Sequence, residues 1–202
     1  MRAKTSSRER TFIEEARRAQ IIAAGIEVIA EIGSARASFA RIAEQAGLSS
    51  TGLISYHFAG RTELLAEISR TVLASFAAYV GPRVDAQTTA RAALAAFLES
   101  NVEFMASHRT QLLAYLDISR ATPTGPHDAY LESDLAGLEE LFREGQRDGE
   151  FRDFDPRVMA VAIRSTRDGV LDHLARHPDL DLAPYTRGLV DLFDHATRAA
   201  RA

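Results

Sequence analysis

The segment between Ser38 and Arg61 constrains the fold of this chain most, because it has the pattern of two short helices joined by a tight turn. Ser38 is a favourable N-cap for the first helix, and Gly47 can adopt the left-handed conformation that ends one. The apolar residues between them fall at the spacing of a single helix face. They are Phe39, Ile42, Ala43 and Ala46.

A second short helix is predicted directly after this turn, with Ser49 or Ser50 as its N-cap. Apolar contacts to the core can come from Leu53, Ile54 and Phe58. The residues predicted to face outward are small and polar, namely Thr51, Gly52 and Ser55. Small side chains let a helix approach base edges closely. The segment therefore predicts a helix-turn-helix whose second helix enters the major groove of DNA.

With these residues the chain resembles the tetracycline-repressor (TetR) family of bacterial transcriptional regulators. The matching residues are Gly33, Ser38, Ile42, Ala43, Ala46, Gly47, Leu48, Ser49, Tyr56, His57, Phe58, Arg61 and Leu64. The resemblance implies an all-α fold of about nine helices. Residues 1–60 would form an N-terminal arm and helix-turn-helix domain, and residues 61–202 a helical effector-binding and dimerisation domain. It also implies a homodimer that binds double-stranded operator DNA and responds to a small-molecule effector.

The predicted DNA-binding site includes the N-terminal ends of both helices of the helix-turn-helix, the rest of the second helix, and the arginine that follows it. Its residues are Ser38, Ser49, Ser50, Thr51, Gly52, Ser55, Tyr56, His57 and Arg61. Ser50 and Thr51 are expected closest to base edges or phosphates, whereas Tyr56 and His57 are expected on the DNA-backbone side. Arg61 stands where the family usually has lysine, and either cation can contact a phosphate.

The net charge of −4 does not by itself suggest a DNA-binding protein, but the charges are unevenly distributed. Residues 1–80 contain 10 Lys and Arg against 8 Asp and Glu, whereas residues 81–202 contain 14 against 20. The positive excess thus coincides with the helix-turn-helix. Four cations, Arg2, Lys4, Arg8 and Arg10, precede the first predicted helix. They can follow a phosphate backbone or reach a minor groove, or they can belong to a solvated terminus.

Composition narrows the class of protein further. The 202 residues are 46% hydrophobic and include no cysteine, which excludes disulfides and cysteine-ligated zinc. The N-terminus is polar and basic, without the apolar core of a signal peptide, and no run of eighteen apolar residues occurs. We therefore expect a cytoplasmic protein with no membrane partner.

Helical spacing of apolar residues continues along the whole chain and predicts no strand. A first helix is predicted over residues 14–33 as a scaffold for the motif. A fourth follows Gly60 and runs to about residue 80, where Gly81 and Pro82 are expected to stop it. Further helices are predicted over residues 88–107, 109–121, 127–148, 156–176 and 184–201.

The last two predicted helices have more apolar surface than a terminal hairpin needs. They could pair with their copies in a twofold dimer, or pack only within their own domain. Binding to two DNA half-sites requires two copies of the second helix, and this favours the dimer. The predicted interface residues are Leu171, Leu174, Leu189, Leu192, Phe193 and Ala196.

An apolar effector pocket with a few polar anchors is predicted in the second domain. The candidate residues are Phe76, Asn101, Phe104, Met105, Tyr115, Tyr130, Arg164 and Asp168. Most apolar members of such a set are ordinary core residues. Arg164 and Asp168 are four residues apart and can equally form an ion pair on a helix surface.

No catalytic constellation, cofactor or metal site is predicted. His173 and His177 share a helix face, but the spacing fixes no third ligand. No G-x-S-x-G motif and no glycine-rich phosphate loop occurs. The preferred interpretation is a repressor released from its operator by a small molecule. A regulator that activates transcription or lacks effector control remains open, as does a helical ligand-binding protein or enzyme with a vestigial DNA-binding domain.

Overall fold

A computed structural model describes residues 2–121, 126–177 and 179–199, and within these residues the regular structure is helical. The helices are α1 (Arg2–Ile32), α2 (Phe39–Gln45), α3 (Gly52–His57), α4 (Arg61–Asp85), α5 (Ala90–Ser107), α6 (Arg109–Ala121), α7 (Pro126–Arg147), α8 (Pro156–Arg176) and α9 (Ala183–Thr197). A short 3₁₀ turn covers Ser34–Arg36, and a single β-bridge joins Phe151 to Arg198. The prediction of an all-α fold with about nine helices is confirmed.

The chain forms two compact units, of which the first is discontinuous. It contains Met1–Val72 together with Thr110–His127, and the second contains Leu73–Arg109 together with Asp128–Ala202. The first part of α4 and nearly all of α6 thus pack with the DNA-binding helices. The predicted division after residue 60 concerns function, and it stays a prediction.

In the first unit, α1 carries the largest part of the core. Ile21 and Ile29 are fully buried along its inner face. Gly25 allows α4 to approach closely, because a Cβ atom there would lie 2.7 Å from Cδ1 of Ile68. The prediction that α1 begins near residue 14 is wrong, since the helix begins at Arg2. No proline or glycine precedes Gly25, and nothing in the local sequence interrupts the helix.

The fourth helix also extends further than predicted, since α4 continues through Gly81 and Pro82 to Asp85. A proline removes one backbone donor from a helix and need not end it when the surrounding hydrogen bonds persist. The amide of Ala86 still donates to the carbonyl of Pro82 at 3.2 Å. The expected stop after Val80 is therefore wrong.

A tightly packed corner connects α7 to α8 in the second unit. Gly149 ends the turn after α7 with φ of 74°, and Asp155 caps α8 by accepting a hydrogen bond from the amide of Val158 at 3.1 Å. Phe151 is buried against Gly145, where a Cβ atom would lie 2.2 Å from Cδ2 of its ring. This close approach requires glycine at position 145.

The helix α4 is long and apolar enough, by length and composition, to cross a membrane. One such helix is weak evidence for a membrane span, because core helices of soluble proteins have the same composition. Several apolar side chains of α4 are buried within the chain, among them Leu64, Ile68 and Val72.

Candidate DNA-binding site

The turn between α2 and α3 is fixed by local hydrogen bonds of the predicted kind. The Oγ atom of Ser38 accepts a hydrogen bond from the amide of Arg41 at 3.3 Å, which caps α2 as predicted. Gly47 has φ of 64°, and the amide of Leu48 donates to the carbonyl of Ala43 at 2.8 Å. This is a glycine-terminated helix end, and it sets the direction in which the chain enters α3.

The second helix of the motif begins slightly later than predicted. Thr51 is the N-cap of α3 and makes no side-chain cap hydrogen bond, so the prediction of Ser49 or Ser50 as the cap is wrong. Consecutive hydroxyl residues have similar capping preferences, which is why the sequence does not distinguish them. Ile54 and Phe58 are buried and anchor α3 to the core.

The opposite face of α3 is open to solvent. The exposed residues on and directly before this helix are Ser49, Ser50, Thr51, Gly52, Leu53, Ser55 and Tyr56. Tyr56 projects furthest, with 71% of its surface exposed, and its hydroxyl lies 3.5 Å from Oε1 of Glu14. His57 is half-buried and packs edge-on against Tyr56. Leu53, which was expected to contact the core, is 37% exposed. The other residues of the face are small and polar near its start and aromatic near its end.

Arg18 holds the end of α3 in place, and sequence analysis did not identify it. Its Nη1 atom donates to the carbonyl of His57 at 2.8 Å, and its guanidinium lies 4.5 Å from the ring centroid of Phe58. The same group forms an ion pair with Glu67 of α4 at 3.1 Å. Arg18 therefore connects α1, α3 and α4 at one point. Contacts over such sequence separations leave no periodic signal.

Arg61, which is predicted to contact a DNA phosphate, also makes a hydrogen bond within the protein. Its Nη2 atom donates to the carbonyl of Ser34, in the turn between α1 and α2. Ser34 is buried, and its amide donates to Oδ2 of Asp117 on α6 at 2.6 Å. Arg61 itself is exposed. The side chain thus supports the 3₁₀ turn from a position at the surface of the unit.

The predicted effector residues do not form one cluster. Phe76 and Tyr130 line a cleft between α4, α5 and α7, whereas Asn101 and Met105 line a small cavity between α5, α8 and α9. Phe104 is buried and stacks on His108, and Tyr115 belongs to α6 in the first unit. Arg164 and Asp168 form the ion pair of the alternative interpretation, at 3.6 Å.

A buried polar cluster in the second unit was not predicted as such. Arg167 lies 2.9 Å from Oδ2 of Asp134 and 3.4 Å from Oδ1 of Asn101. Burial by itself would lower the pKa of the Arg167 guanidinium, but the charges of Asp134, Tyr130 and Asp168 raise it above its usual value. Arg167 is therefore a permanent cation, paired with Asp134 inside the unit.

A larger groove of about 610 Å³ lies between α5 and α9. None of the predicted effector residues lines it. Its lining includes five charged side chains, namely Arg91, Glu99, Arg187, Asp191 and Asp194. Arg91 and Asp194 pair with each other across the groove, at 2.8 Å between Nη2 and Oδ2. Such a charged lining does not suit an apolar ligand.

Four of the six predicted interface residues are buried within the chain itself, and they are Leu171, Leu174, Leu189 and Phe193. They pack within their own unit, and the predicted dimer interface stays a prediction. Leu192 is 55% exposed and Ala196 is half-buried. On α8, Val158 and Val161 are exposed apolar side chains as well. Exposed apolar side chains are thus present on both α8 and α9.

Two histidines lie close together at the end of α8. The rings of His173 and His177 lie 4.5 Å apart, and the ring of Tyr185 lies 5.9 Å from that of His173. Among the residues that the structure describes, no group of three or more His, Cys, Asp or Glu side chains is arranged to hold a metal ion.

Residues 21–68 match the family model of the bacterial regulatory proteins of the tetR family. The chain is also 46% identical over 57 residues to the HTH-type transcriptional regulator BetI 1 of Chromohalobacter salexigens, a match that covers 28% of each chain. The match therefore spans less than a third of this relative's length.

Similarity to solved structures extends over most of the chain. The regulator FadR from Bacillus subtilis in complex with stearoyl-CoA has a TM-score of 0.76 at 23% identity, and the alignment covers 86% of this chain and 95% of that one. AibR, solved with isovaleryl coenzyme A and operator DNA, has a TM-score of 0.70 at 21% identity, with coverage of 89% and 97%. These likenesses show the shared fold. Within this fold, residues 21–68 carry the match to the tetR family of bacterial regulatory proteins.

Proposed function

We propose that this protein is a homodimeric transcriptional repressor that a small molecule releases from its operator. The observation that carries the proposal is the pair α2 and α3, with a capped glycine turn and a small, polar, exposed face on α3. A vestigial DNA-binding domain would not need small side chains at Thr51, Gly52 and Ser55. The enzyme and carrier interpretations are therefore not favoured.

Release by an effector needs only a difference in affinity between two conformations. The effector has to bind more tightly to the conformation in which the two DNA-reading helices no longer match their half-sites. A coupling free energy of about 1–3 kcal/mol weakens operator binding by roughly 5- to 150-fold. Solved relatives in complex with coenzyme A esters support a small organic effector for this chain too.

The proposal further includes the absence of enzymatic activity and a cytoplasmic location. Operator DNA is the partner, and a regulator of this type acts where that DNA is. The predicted DNA-binding residues remain proposed contacts, and they are Ser38, Ser49, Ser50, Thr51, Gly52, Ser55, Tyr56, His57 and Arg61.

Selection of binding sites from a randomised duplex library tests the proposed function directly. The full-length protein is expected to enrich one sequence with two inverted half-sites about one helical turn apart, because a twofold dimer presents two copies of α3. Binding to the enriched duplex is then measured by fluorescence anisotropy at several salt concentrations. Enrichment of no sequence above the starting library would contradict the proposal.

Arg61→Ala is expected to weaken operator binding with little change in sequence preference. A cation that meets a phosphate releases a counterion, so the salt dependence should fall by about one unit per half-site. Arg61→Lys is the control and should keep the salt dependence of the wild type. A loss of affinity without any change in salt dependence would mean that Arg61 acts only through the Ser34 carbonyl.

For dimerisation, the exposed part of α8 and α9 offers a suitable surface. Small or apolar residues follow one another along α8 at steps of four, three and four residues. They are Val158, Ala162, Ser165 and Gly169, and all four are exposed. Leu192 provides an exposed apolar side chain on α9. A face without long polar side chains allows close approach of a second copy in a twofold arrangement.

Leu192→Glu is expected to give a monomer with the helical content of the wild type and much weaker operator binding. Burying an unpaired charge in an apolar interface is costly, whereas exposing it on a monomer is not. Leu189→Glu is the matched comparison on the same helix, and it should instead unfold the second unit because Leu189 is buried in the chain. Light scattering and circular dichroism distinguish the two results. An unaltered dimer mass for Leu192→Glu would place the interface elsewhere.

A further inference from the structure

The last turn of α8 carries two histidines whose rings are in contact. His173 and His177 are four residues apart, and their ring centroids lie 4.5 Å apart with an angle of 50° between the ring planes. Residues at this spacing lie on the same helix face, one turn apart. The two histidines of a zinc-binding H-E-x-x-H helix have the same spacing. The pair therefore has the arrangement of a two-histidine chelate.

The ring nitrogens of both histidines are available to a ligand. Among the residues that the structure describes, their imidazoles contact each other and the ring of Tyr185, and neither takes part in a hydrogen bond or an ion pair. His195 on α9 differs, because its Nδ1 atom lies 3.1 Å from Oδ1 of Asp191. His173 is half-buried and His177 is exposed, so solvent reaches the pair. A neutral imidazole has one nitrogen lone pair with which it can bind a metal ion.

The electrostatic surroundings of the pair favour a cation. His177 is the C-cap of α8, and the carbonyl groups at the end of a helix carry a partial negative charge. Residues 172–181 include three aspartates and one arginine. Two of these aspartates, Asp179 and Asp181, are exposed in the segment that follows the helix. The negative excess attracts a divalent cation to the end of α8.

We propose that His173 and His177 bind one divalent ion of a late first-row transition metal, such as Zn²⁺, Ni²⁺ or Cu²⁺. Imidazole is a preferred ligand of these ions, whereas Mg²⁺ and Ca²⁺ prefer oxygen ligands. The sequence fixes no third ligand, but water can occupy the remaining positions of an open site. The pair lies outside the DNA-binding helices, so the inference does not rest on the regulatory function proposed above.

Calorimetric titration of the full-length protein, without an added histidine tag, tests the proposal with NiCl₂, ZnCl₂ and MgCl₂ as separate probes. We expect one Ni²⁺ or Zn²⁺ ion per chain. Two protein ligands instead of the four of a structural zinc site predict a modest affinity, with a Kd on the order of 10 µM. Mg²⁺ should bind at least roughly a hundredfold more weakly. Absence of nickel and zinc binding at millimolar concentration, or equally tight binding of Mg²⁺, would overturn the proposal.

Single substitutions locate the ion. His177→Ala leaves the fold intact because His177 is exposed, and His173→Ala removes the other ring. Loss of groups that merely orient metal ligands costs roughly 10- to 100-fold in affinity, so loss of either ligand should weaken Ni²⁺ binding at least tenfold. His195→Ala is the control and should bind Ni²⁺ like the wild type. Unchanged binding by His177→Ala, or loss of binding in His195→Ala, would place the ion elsewhere and overturn the proposal.

A double variant tests the spacing of the two rings. Ala175→His combined with His177→Ala keeps the number of histidines, but it places the second ring two residues from His173, on a different side of the helix. We expect this variant to bind Ni²⁺ as weakly as His177→Ala, with circular dichroism as the measure of its folding. Affinity equal to that of the wild type would show that a chelate on one helix face is not needed, and it would overturn the proposal.

Thermal denaturation gives a second readout. An ion that binds the folded helix more tightly than the unfolded chain raises the melting temperature. With Ni²⁺ at about 100 times its Kd, the wild type should gain several degrees and His177→Ala should gain none. No gain in the wild type, or equal gains in both proteins, would contradict a site formed by the folded helix.

The outcomes of these experiments and of operator selection are independent. A protein that selects an operator but binds no Ni²⁺ or Zn²⁺ refutes only the metal site. A protein that binds Ni²⁺ through His173 and His177 but selects no operator refutes only the regulatory function.

Discussion

Replacing Gly52 with leucine is expected to abolish sequence-specific DNA binding while the fold stays intact. Gly52 is exposed at the start of α3, and a Cβ atom placed on it would have only Ser50 Oγ nearby, at 3.5 Å. A leucine side chain is therefore tolerated by the protein but holds the helix away from base edges. Good base contacts contribute about 1–3 kcal/mol each, so loss in both half-sites predicts a fall in affinity of roughly a hundredfold or more.

A graded series at this position separates the steric effect from other causes. Gly52→Ala should weaken binding much less than Gly52→Leu, and neither should lower the melting temperature. Tyr56→Phe is the comparison on the same exposed face, and loss of one hydroxyl contact should cost only about 0.5–1.5 kcal/mol. Anisotropy titrations with the selected operator measure all three. Tolerance of leucine at Gly52 combined with a collapse in Tyr56→Phe would show that a different side of α3 faces the groove.

Gly145→Ala is expected to destabilise the second unit strongly. The new methyl group would lie 2.2 Å from Cδ2 of Phe151 and 2.8 Å from Cβ of Ala90, and Phe151 is itself buried. Overpacking of this kind costs about 1–3 kcal/mol, which exceeds the gain of about 0.5–1 kcal/mol from replacing glycine by alanine in a helix. The melting temperature should fall by several degrees, at roughly 2–4 °C per kcal/mol.

Gly137→Ala is the matched control for this prediction. Gly137 lies on the same helix, and nothing approaches its Cβ position within 4 Å. The substitution should therefore leave stability unchanged or raise it through helix propensity. Both variants are compared by thermal denaturation at one protein concentration, because the stability of a dimer depends on concentration. Equal melting temperatures for Gly145→Ala and Gly137→Ala would show that the contact with Phe151 does not limit the stability of the second unit.

The parts of the fold that could be predicted from the sequence are those fixed by neighbouring residues. The cap by Ser38 and the turn at Gly47 depend on hydrogen bonds that span only a few residues. Local rules were wrong where packing decides, as at Pro82, where α4 continues because its flanking hydrogen bonds persist. Apolar spacing also identified Leu189 and Phe193 as buried, but it could not tell that they belong to the core of their own chain.

The contacts that organise the candidate sites join distant parts of the sequence. Arg18 and the His57 carbonyl are 39 residues apart, and Asn101 and Arg167 are 66 apart. Such pairs leave no periodicity that a reader of one sequence can detect. The pair Asp134 and Arg167 is of the same kind, so the polar end of the cleft was not predicted, although Phe76 and Tyr130 on its wall were.

The hydrogen bond from the Ser34 amide to Asp117 has a consequence for the order in which the chain folds during synthesis. Its partners are 83 residues apart, and α6 belongs to the same compact unit as the DNA-binding helices. A ribosome releases the helix-turn-helix well before α6, so the Ser34 amide is synthesised long before its acceptor. For the same reason, a chimaera that takes only residues 1–60 to another protein leaves Asp117 behind, and the recipient must supply an equivalent carboxylate.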